Sequence, residues 1–279
     1  GTRTARMLHG RFREFEPRDE REVADYRITR LFQVPTLMSL ANMNRGPESL
    51  RIVAMGGGTG LPIVLESCKT YCRNLTGIVT VTDSGRSSGR LRKELGILPP
   101  GDARNCLVAL SESGPREQLV NELMQYRFSQ GSFEGMSLGN LCIAAMIDLH
   151  GSFQAGLSSL SRLLSIRGRV LPPTEQDCHV CAELTDGEVR EGEFNVRGLD
   201  KAPIERLYLT PEEPPAFEDA VKEIINADLV VLGPGSLFTS VLTNVLVPGI
   251  RDALARTRGK VVYVSNIVTQ PGQTDGFRA

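Results

Sequence analysis

The chain has 279 residues, of which 41% are hydrophobic and 5% aromatic, and it contains no Trp. Its formal net charge of -1 gives no overall attraction to nucleic acid or anionic membranes, and so few aromatic side chains argue against a surface that stacks bases or sugars. No apolar run approaches the ~20 residues of a membrane span, and no hydrophobic signal segment follows the first residues. We therefore expect no nucleic-acid partner and no membrane segment, and the six cysteines, mainly in apolar-periodic contexts, suit a reducing cytoplasm.

Strand-like and helix-like segments alternate from residue 51 onward, after a charged, arginine-rich segment at 1–49. We predict that this first segment is an N-terminal extension, either packed on the domain as a helix or frayed. Helical patterns dominate 102–166, and the predicted strands cover 51–55, 75–82, 228–232 and 260–266. This order predicts an α/β fold for 51–279, with a Rossmann-like, mostly parallel sheet covered by helices.

The first predicted strand ends in a glycine-rich loop that leads into an apolar-periodic segment. The loop is Gly56-Gly57-Gly58-Thr59-Gly60. Glycines allow positive φ and close approach of a ligand, and the following helix start offers free N–H groups, so the loop is predicted to hold a phosphate. It is neither a P-loop nor the G-x-G-x-x-G fingerprint, because no Gly-Lys-Ser/Thr follows and the sixth position is Leu61. The alternative is a turn that only closes a strand–helix unit.

A polar segment follows the second predicted strand, and Asp83, Ser87 and Ser88 are its candidate ligand-binding residues. Asp83 stands about where a ribose-binding acid would lie in a dinucleotide-binding fold. Serine hydroxyls and backbone N–H groups could cradle a diphosphate, with Arg86 or Arg90 compensating its charge. The alternative is a flexible polar loop that leads into a solvated basic helix.

Two further helix starts carry polar residues that a helix does not need. Asp102 is predicted to cap the helix that follows a Pro-Pro-Gly turn, but Arg104 and Asn105 fall in its first turn, where a cation opposes the helix dipole. A bound anion would remove that conflict. Ser137 is predicted to cap the next long helix, with the poor helix former Asn140 in its first turn, which indicates either ligand contact or a tightly packed helix start.

Residues 178–209 differ from the rest, because they predict a small antiparallel β insertion. Cys178–Leu184 and Glu188–Val196 flank the turn signal Thr185-Asp186-Gly187, and Ile204–Leu209 is a further predicted strand. The spacing of Cys178 and Cys181 is C-x-x-C, but no second metal pair accompanies it. Core packing is therefore favoured over zinc or redox chemistry.

A second glycine loop follows the predicted strand 228–232, and its candidate ligand-binding residues are Gly233, Gly235 and Ser236. In open α/β sheets, ligands bind outside the carboxyl ends of the strands, where such loops converge. The two glycine loops are therefore predicted to form two walls of one cleft. The three histidines of the chain lie outside these loops, and the G-x-S-x-G elbow is absent, which argues against a histidine-based triad.

From about Arg51 to Ala279 the chain resembles the gluconeogenesis-factor (YvcK-like) proteins of the 2-phospho-L-lactate transferase (CofD-like) superfamily. The resemblance depends on an ordered series of motifs. They are Gly56–Gly60, Ser87–Arg92, Gly96–Asp102, Ser137–Asn140, Arg167–Pro172, Gly233–Ser236 and Thr269–Gly276.

This resemblance implies a cytoplasmic regulatory protein that binds a nucleotide-linked sugar of the UDP-N-acetylglucosamine type. In such a protein the function is linked to cell-wall synthesis and cell shape during gluconeogenic growth. It also implies a homo-oligomer with a regulatory protein partner of unknown identity, and no certain cofactor. The glycine loops would cradle the diphosphate, Arg104 would offset its charge, and Asp83, Asn105 and Asn140 would bind sugar or base groups.

The transferase relatives imply an alternative, in which a phospholactyl-type group moves from a nucleotide-activated donor to a deazaflavin with Mg²⁺ assistance. Asp83 would then be the metal ligand. In that branch paired aspartates are usual, whereas here Ser84 follows Asp83 and Arg86 stands where glycine is usual. A single carboxylate weakens a Mg²⁺ site. A nicotinamide-dependent dehydrogenase is a third alternative, and Leu61 at the sixth position argues against it.

Overall fold

The computed structural model describes residues 49–277, apart from the side chain of Arg86. The predicted extension at 1–49 therefore lies outside the described residues, except for its last one. The strands of the described part are β1 (Arg51–Gly56), β2 (Asn74–Val79), β3 (Arg169–Leu171), β4 (His179–Leu184), β5 (Val189–Glu191), β6 (Ile204–Thr210), β7 (Leu229–Leu232) and β8 (Lys260–Tyr263).

Helices connect and cover these strands. They are α1 (Gly60–Cys68), α2 (Arg86–Leu95), α3 (Gly101–Leu110), α4 (Pro115–Gln125), α5 (Leu138–His150), α6 (Phe153–Leu163), α7 (Glu193–Val196), α8 (Glu218–Asn226), α9 (Leu242–Val245) and α10 (Pro248–Arg256). A π-helical turn, Leu237–Val241, precedes α9. None of the helices between residues 49 and 277 is both long and apolar enough to cross a membrane.

Five parallel strands form the main sheet in the order β3-β2-β1-β7-β8. The predicted Rossmann-like, mostly parallel sheet is thus confirmed. All but the first residue of β1 and of β2 are buried, which fits strands covered by helices on both faces. The chain passes from β1 toward β2 on one side and later returns to place β7 on the other side. The carboxyl ends of β1 and β7 therefore form a topological switch point, where open α/β sheets bind ligands.

The predicted antiparallel unit is present as a three-stranded sheet in the order β5-β4-β6. The prediction that Glu188–Val196 forms one strand was wrong at its end, because β5 stops at Glu191 and Glu193–Val196 is the short helix α7. Gly192 has φ +85 and turns the chain, and the Asn195 side chain donates to the Glu191 carbonyl oxygen at 2.8 Å. This turn moves Glu193 off the sheet. Cys178 and Cys181 are both buried.

Four other points differ from the sequence-based predictions. The second strand ends at Val79 rather than at 82, and the last strand ends at Tyr263 rather than at 266. β3 was not predicted, since three residues are too few to show a periodicity. Asp102 is not the cap of α3, because the helix already begins at Gly101 and the Asp102 carboxylate bonds to a different part of the chain.

Candidate functional site

The two glycine loops contact each other at the switch point between β1 and β7. A Cβ atom on Gly60 would lie 2.1 Å from the carbonyl oxygen of Pro234, so only glycine allows this contact between the loops. The N–H of Gly233 donates to the Met55 carbonyl oxygen at 2.8 Å, which continues the pairing of β7 with β1. The two loops thus lie against each other at the switch point, and that they line one ligand cleft stays a prediction.

Packing and backbone conformation explain part of the glycine content of the first loop. A Cβ on Gly57 would lie 2.5 Å from the Thr80 methyl group and 2.7 Å from Asp102 Oδ2. Gly58 has φ +61, a conformation that other residues rarely adopt, and its N–H donates to Asp102 Oδ2 at 2.6 Å. The N–H of Gly58 is therefore held by the protein. The first turn of α1 still presents N–H groups without intrahelical partners.

The second glycine loop is held in place by side chains that come later in the chain. The Asn266 amide donates to the Gly235 carbonyl oxygen at 2.8 Å. The Ser236 hydroxyl donates to Gln273 Oε1 at 2.6 Å and accepts from the N–H of Thr239 at 3.3 Å. The hydroxyl of Ser236, a predicted ligand-binding residue, is thus bonded within the protein, whereas Gly235 leaves the backbone uncovered.

Four predicted site residues from three helices form one hydrogen-bonded network, which we call the amide side of the cleft: Ser87, Arg104, Asn105 and Asn140. Arg104 donates through Nη1 to Asn140 Oδ1 at 2.9 Å and through Nη2 to Asn105 Oδ1 at 2.8 Å. The Asn140 amide nitrogen donates to Ser87 Oγ at 3.0 Å. Arg104 and Asn140 are 4% and 1% exposed, so these bonds lie in the interior.

The amide side has donor hydrogens that its own acceptors do not use. Ser87 Oγ also accepts from the N–H of Ser137 at 3.2 Å, while the Ser137 hydroxyl donates to the Met124 carbonyl oxygen at 3.3 Å. With two donors on its oxygen, Ser87 has its hydroxyl hydrogen left to offer. Burial, together with the charge of Arg127, lowers the pKa of Arg104 to about 10, so it stays a cation at neutral pH. Its Nε has no partner in the described part of the chain.

Three carboxyl groups form the acidic side of the cleft: Asp83, Asp102 and Glu193. Burial raises the pKa of Asp102 to about 6, helped by the charge of Asp83 and opposed by the Gly58 N–H and by Arg104. Burial also raises the pKa of Glu193, and the charge of Asp83 and a hydrogen bond to it act in the same direction. The charge of Asp83 therefore disfavours the charged forms of Asp102 and Glu193.

The segment after β2 brings the side chains of Asp83 and Ser88 to the start of α3. The N–H of Gly85 donates to Asp83 Oδ1 at 2.8 Å. A Cβ on Gly101 would lie 2.2 Å from Ser88 Oγ and 3.3 Å from Asp83 Oδ2, so both oxygens approach the start of α3. Arg90 does not join them, because it pairs with Glu94 at 2.7 Å on an exposed surface.

An open cleft of about 660 Å³ adjoins the acidic side. Its lining includes Ser84, Gly85, Glu191, Gly192 and Phe194, so it lies between the loop after β2 and the antiparallel sheet. Phe194 is 80% exposed, so most of its side chain is open to solvent. The volume is within the range of small-molecule sites, ~300–1,000 Å³.

The described carboxylates do not form a metal site of their own. Among residues 49–277 no group of three or more His, Cys, Asp or Glu side chains has the arrangement that holds a metal ion. Asp83 and Asp102 each have one oxygen engaged by a backbone N–H. Mg²⁺ at Asp83 would therefore depend on phosphate oxygens from a ligand.

The sequence did not indicate three residues that the structure places at this site: Glu193, Ser240 and Asn244. Glu193 fell within a predicted strand, and no motif marked it. Ser240 lies four residues after Ser236 on the π-helical turn, and the motif Gly233–Ser236 could have drawn attention to it. Asn244 is fully buried and donates to the carbonyl oxygens of Gly56 and Ser240 at 3.2 and 2.8 Å, which joins that turn to the first loop.

These features define the class: an open α/β protein with two glycine loops in contact at the switch point of its sheet and a polar cleft beside the loop that follows β2. The chain belongs to the CofD family, because the family model described as 2-phospho-L-lactate transferase CofD matches residues 52–279.

Within this family the chain is similar to proteins named gluconeogenesis factor. It is 46% identical to the one from Halalkalibacterium halodurans, over 82% of this chain and 70% of that protein. For the Bacillus subtilis protein the identity is 44%, over 82% and 71%. A Nostoc relative is 45% identical over 88% of this chain but only 52% of its own length, so this chain spans about half of that protein.

A solved structure agrees with the fold. The crystal structure of a UPF0052-family protein from Bacillus halodurans has a TM-score of 0.79 and 45% sequence identity, and the match covers 83% of this chain and 74% of that one.

Proposed function

We propose that this protein binds a nucleotide-linked sugar of the UDP-N-acetylglucosamine type and acts as a cytoplasmic regulator. The observation that carries the proposal is the contact of two glycine loops at the switch point of the sheet, beside the N–H groups of the first turn of α1. Backbone N–H groups at a helix start and neutral donors suit a diphosphate. The adjoining cleft of about 660 Å³ has room for a sugar.

Similarity to the gluconeogenesis factors supports the regulatory role. Their name associates them with gluconeogenesis, and we propose a link to cell-wall synthesis and cell shape during growth on gluconeogenic carbon. Such a role needs reversible ligand binding and a protein partner rather than turnover, and we expect a homo-oligomer.

A thermal-stability panel tests the ligand class. UDP-N-acetylglucosamine, UDP-glucose, a GDP-linked donor and NAD would each be added with and without Mg²⁺. A ligand at ~100 times its dissociation constant should stabilise the protein by about 2.7 kcal/mol. Stabilisation by the UDP-sugars without metal supports the proposal, and stabilisation by NAD alone contradicts it.

A matched pair of variants locates the site. Asp83→Asn removes a charge beside the cleft and should change the affinity for UDP-N-acetylglucosamine at least threefold. Asp186→Asn makes the same chemical change in the β4–β5 turn, where Asp186 accepts from the N–H of Glu188, and should leave the affinity unchanged. Equal affinities in the two variants would remove Asp83 from the site.

The family match favours a second candidate, a transferase that moves a phospholactyl-type group to a deazaflavin. Its distinguishing result is product formation from a nucleotide-activated lactate or enolpyruvate donor. Stabilisation only by the GDP-linked donor with Mg²⁺ would favour this candidate over the regulator.

A further inference from the structure

We propose that Ser240 contacts the ligand, its hydroxyl donating a hydrogen bond to a phosphate oxygen held between the two glycine loops. The proposed function supplies the nucleotide part of this ligand, but the inference itself requires only an anion of the diphosphate class.

Ser240 lies where the two loops meet. Its Cβ is 3.5 Å from the position that a Cβ on Gly57 would take and also 3.5 Å from that on Gly235. Its Oγ is 3.8 Å from the corresponding position on Gly58 and 3.9 Å from that on Gly235. A ligand that fills the space left by the absent side chains of Gly58 and Gly235 would therefore contact this hydroxyl.

The Ser240 hydroxyl differs from its neighbours because it has no partner. Ser240 is only 6% exposed, yet its Oγ makes no hydrogen bond with any described residue. The hydroxyl of Thr239 donates to Ser236 Oγ at 2.9 Å, and that of Thr243 bonds to Thr80 Oγ1 at 2.9 Å. A hydroxyl that is not bonded within the protein and lies beside both loops can donate to a ligand there.

The backbone holds Ser240 rigidly. Its N–H donates to the Ser236 carbonyl oxygen at 3.0 Å, and its own carbonyl oxygen accepts from the Asn244 amide at 2.8 Å. Asn244 also bonds to the Gly56 carbonyl oxygen, so Ser240 is fixed relative to the first loop as well as the second. The residue lies on a π-helical turn, a distortion that occurs often at functional sites.

An anion is the partner that fits these surroundings. The positive end of the α1 dipole and the free N–H groups of its first turn lie beside the same loops. Asp102 Oδ2, which would lie 2.7 Å from a Cβ on Gly57, accepts a hydrogen bond from the N–H of Gly58, so part of its charge is compensated within the protein. A serine hydroxyl can donate to a phosphate oxygen without adding charge.

The test compares Ser240→Ala and Ser240→Cys with Thr243→Val, using inorganic pyrophosphate, UDP-N-acetylglucosamine and uridine as probes in calorimetric titrations. Ser240→Ala should weaken both phosphate-containing probes tenfold or more, since hydrogen bonds to charged groups are the stronger ones. Ser240→Cys, with a similar size but a weak donor, should also lose affinity. Thr243→Val removes a hydroxyl that is bonded within the protein, so it should lower stability and leave affinity unchanged.

Each outcome decides the inference. If Ser240→Ala binds pyrophosphate as tightly as the unaltered protein does, or if it weakens uridine equally, the inference is wrong. If the unaltered protein binds pyrophosphate but no UDP-sugar, the proposed function fails, and a loss of pyrophosphate affinity in Ser240→Ala still supports Ser240. If the unaltered protein binds neither probe, both are overturned.

Discussion

The amide side and the acidic side of the cleft are close together, but they differ in how their buried polar groups are paired. On the amide side, Arg104 joins two asparagine side chains, so acceptors meet donors. On the acidic side, Asp102 and Glu193 both lie near Asp83, and burial raises the pKa of each. The first arrangement stabilises the fold, whereas the second keeps like charges together at a cost to stability.

We infer from this difference that the amide side supports the fold and that the acidic side belongs to the functional site. A network whose members bond to each other needs no ligand to explain it. Carboxyl groups that repel each other persist where the surrounding fold holds them, which is a recurrent property of functional sites. Removing a charge should therefore have opposite effects on the two sides, a loss of stability on the amide side and a gain on the acidic side.

The largest effect is expected from Arg104→Met, which keeps most of the aliphatic stem and removes the guanidinium group. The oxygen of Asn140 would be left buried without a donor, and Asn105 would lose one of its two. Leaving a buried acceptor unpaired costs about 1–3 kcal/mol, so we expect a total loss of about 2–4 kcal/mol in urea unfolding.

Arg90→Met is the matched control, since Arg90 makes an exposed i,i+4 ion pair with Glu94. It should cost under ~0.5 kcal/mol. If Arg104→Met were as mild as this control, the amide side would not be a scaffold.

The next effect is a gain from Asp102→Asn, because the asparagine oxygen can still accept from the N–H of Gly58 while the buried charge is removed. The pKa of Asp102 rises from its usual 3.8 to about 6 in the folded protein. At 1.36 kcal/mol per pKa unit, this bounds the gain at pH 7 at about 3 kcal/mol.

The pH dependence gives the sign of that prediction. Between pH ~4 and ~6 the folded protein binds more protons at Asp102 than the unfolded chain does, so stability falls as the pH rises through this window. The full cost is present above pH ~6 and absent below pH ~4. The advantage of Asp102→Asn should therefore grow across this window, and an advantage that is constant from pH 4 to 7 would contradict the assignment.

Hydrophobic periodicity and turn residues were enough to predict the sheet. Buried strands such as β1 and β7 are continuous apolar runs, and the turn Thr185-Asp186-Gly187 marks the hairpin of the antiparallel unit. The short strand β3 escaped prediction because three residues carry no period. The end of β5 was missed because Gly192 ends the strand through its backbone conformation, which hydrophobic pattern does not encode.

The glycine loops and the polar helix starts were visible in the sequence because their residue types conflict with local structure. Asn140 in a helix start and Arg104 in a first turn are examples, and the structure joins them through one hydrogen bond. Glu193 and Ser240 gave no such signal, since a glutamate on a polar surface and a serine near a helix start are ordinary. Only the folded structure shows that burial and long-range neighbours make them unusual.

The smallest effect is expected from Glu193→Gln, where the side chain keeps its size and can donate to Asp83. Its ion pair with Arg197, at 3.2 Å and with Arg197 55% exposed, contributes little. Because the pKa of Glu193 is raised in the folded protein, its cost is present at high pH and lost as the pH falls. Because the Glu193 side chain is 18% exposed and Asp83 shares its proton, only part of this cost should appear, and we expect a gain of about 1 kcal/mol at pH 8 and none at pH 4 in urea unfolding.

The double variant Asp102→Asn/Glu193→Gln tests whether the acidic side is a unit. Each single change removes repulsion that involves Asp83, and the two carboxyl groups also repel each other, so the second change has less repulsion left to relieve. The gain of the double variant should fall short of the summed single gains by ~0.5 kcal/mol or more. Additivity within ~0.3 kcal/mol would mean that Asp102 and Glu193 titrate independently of each other.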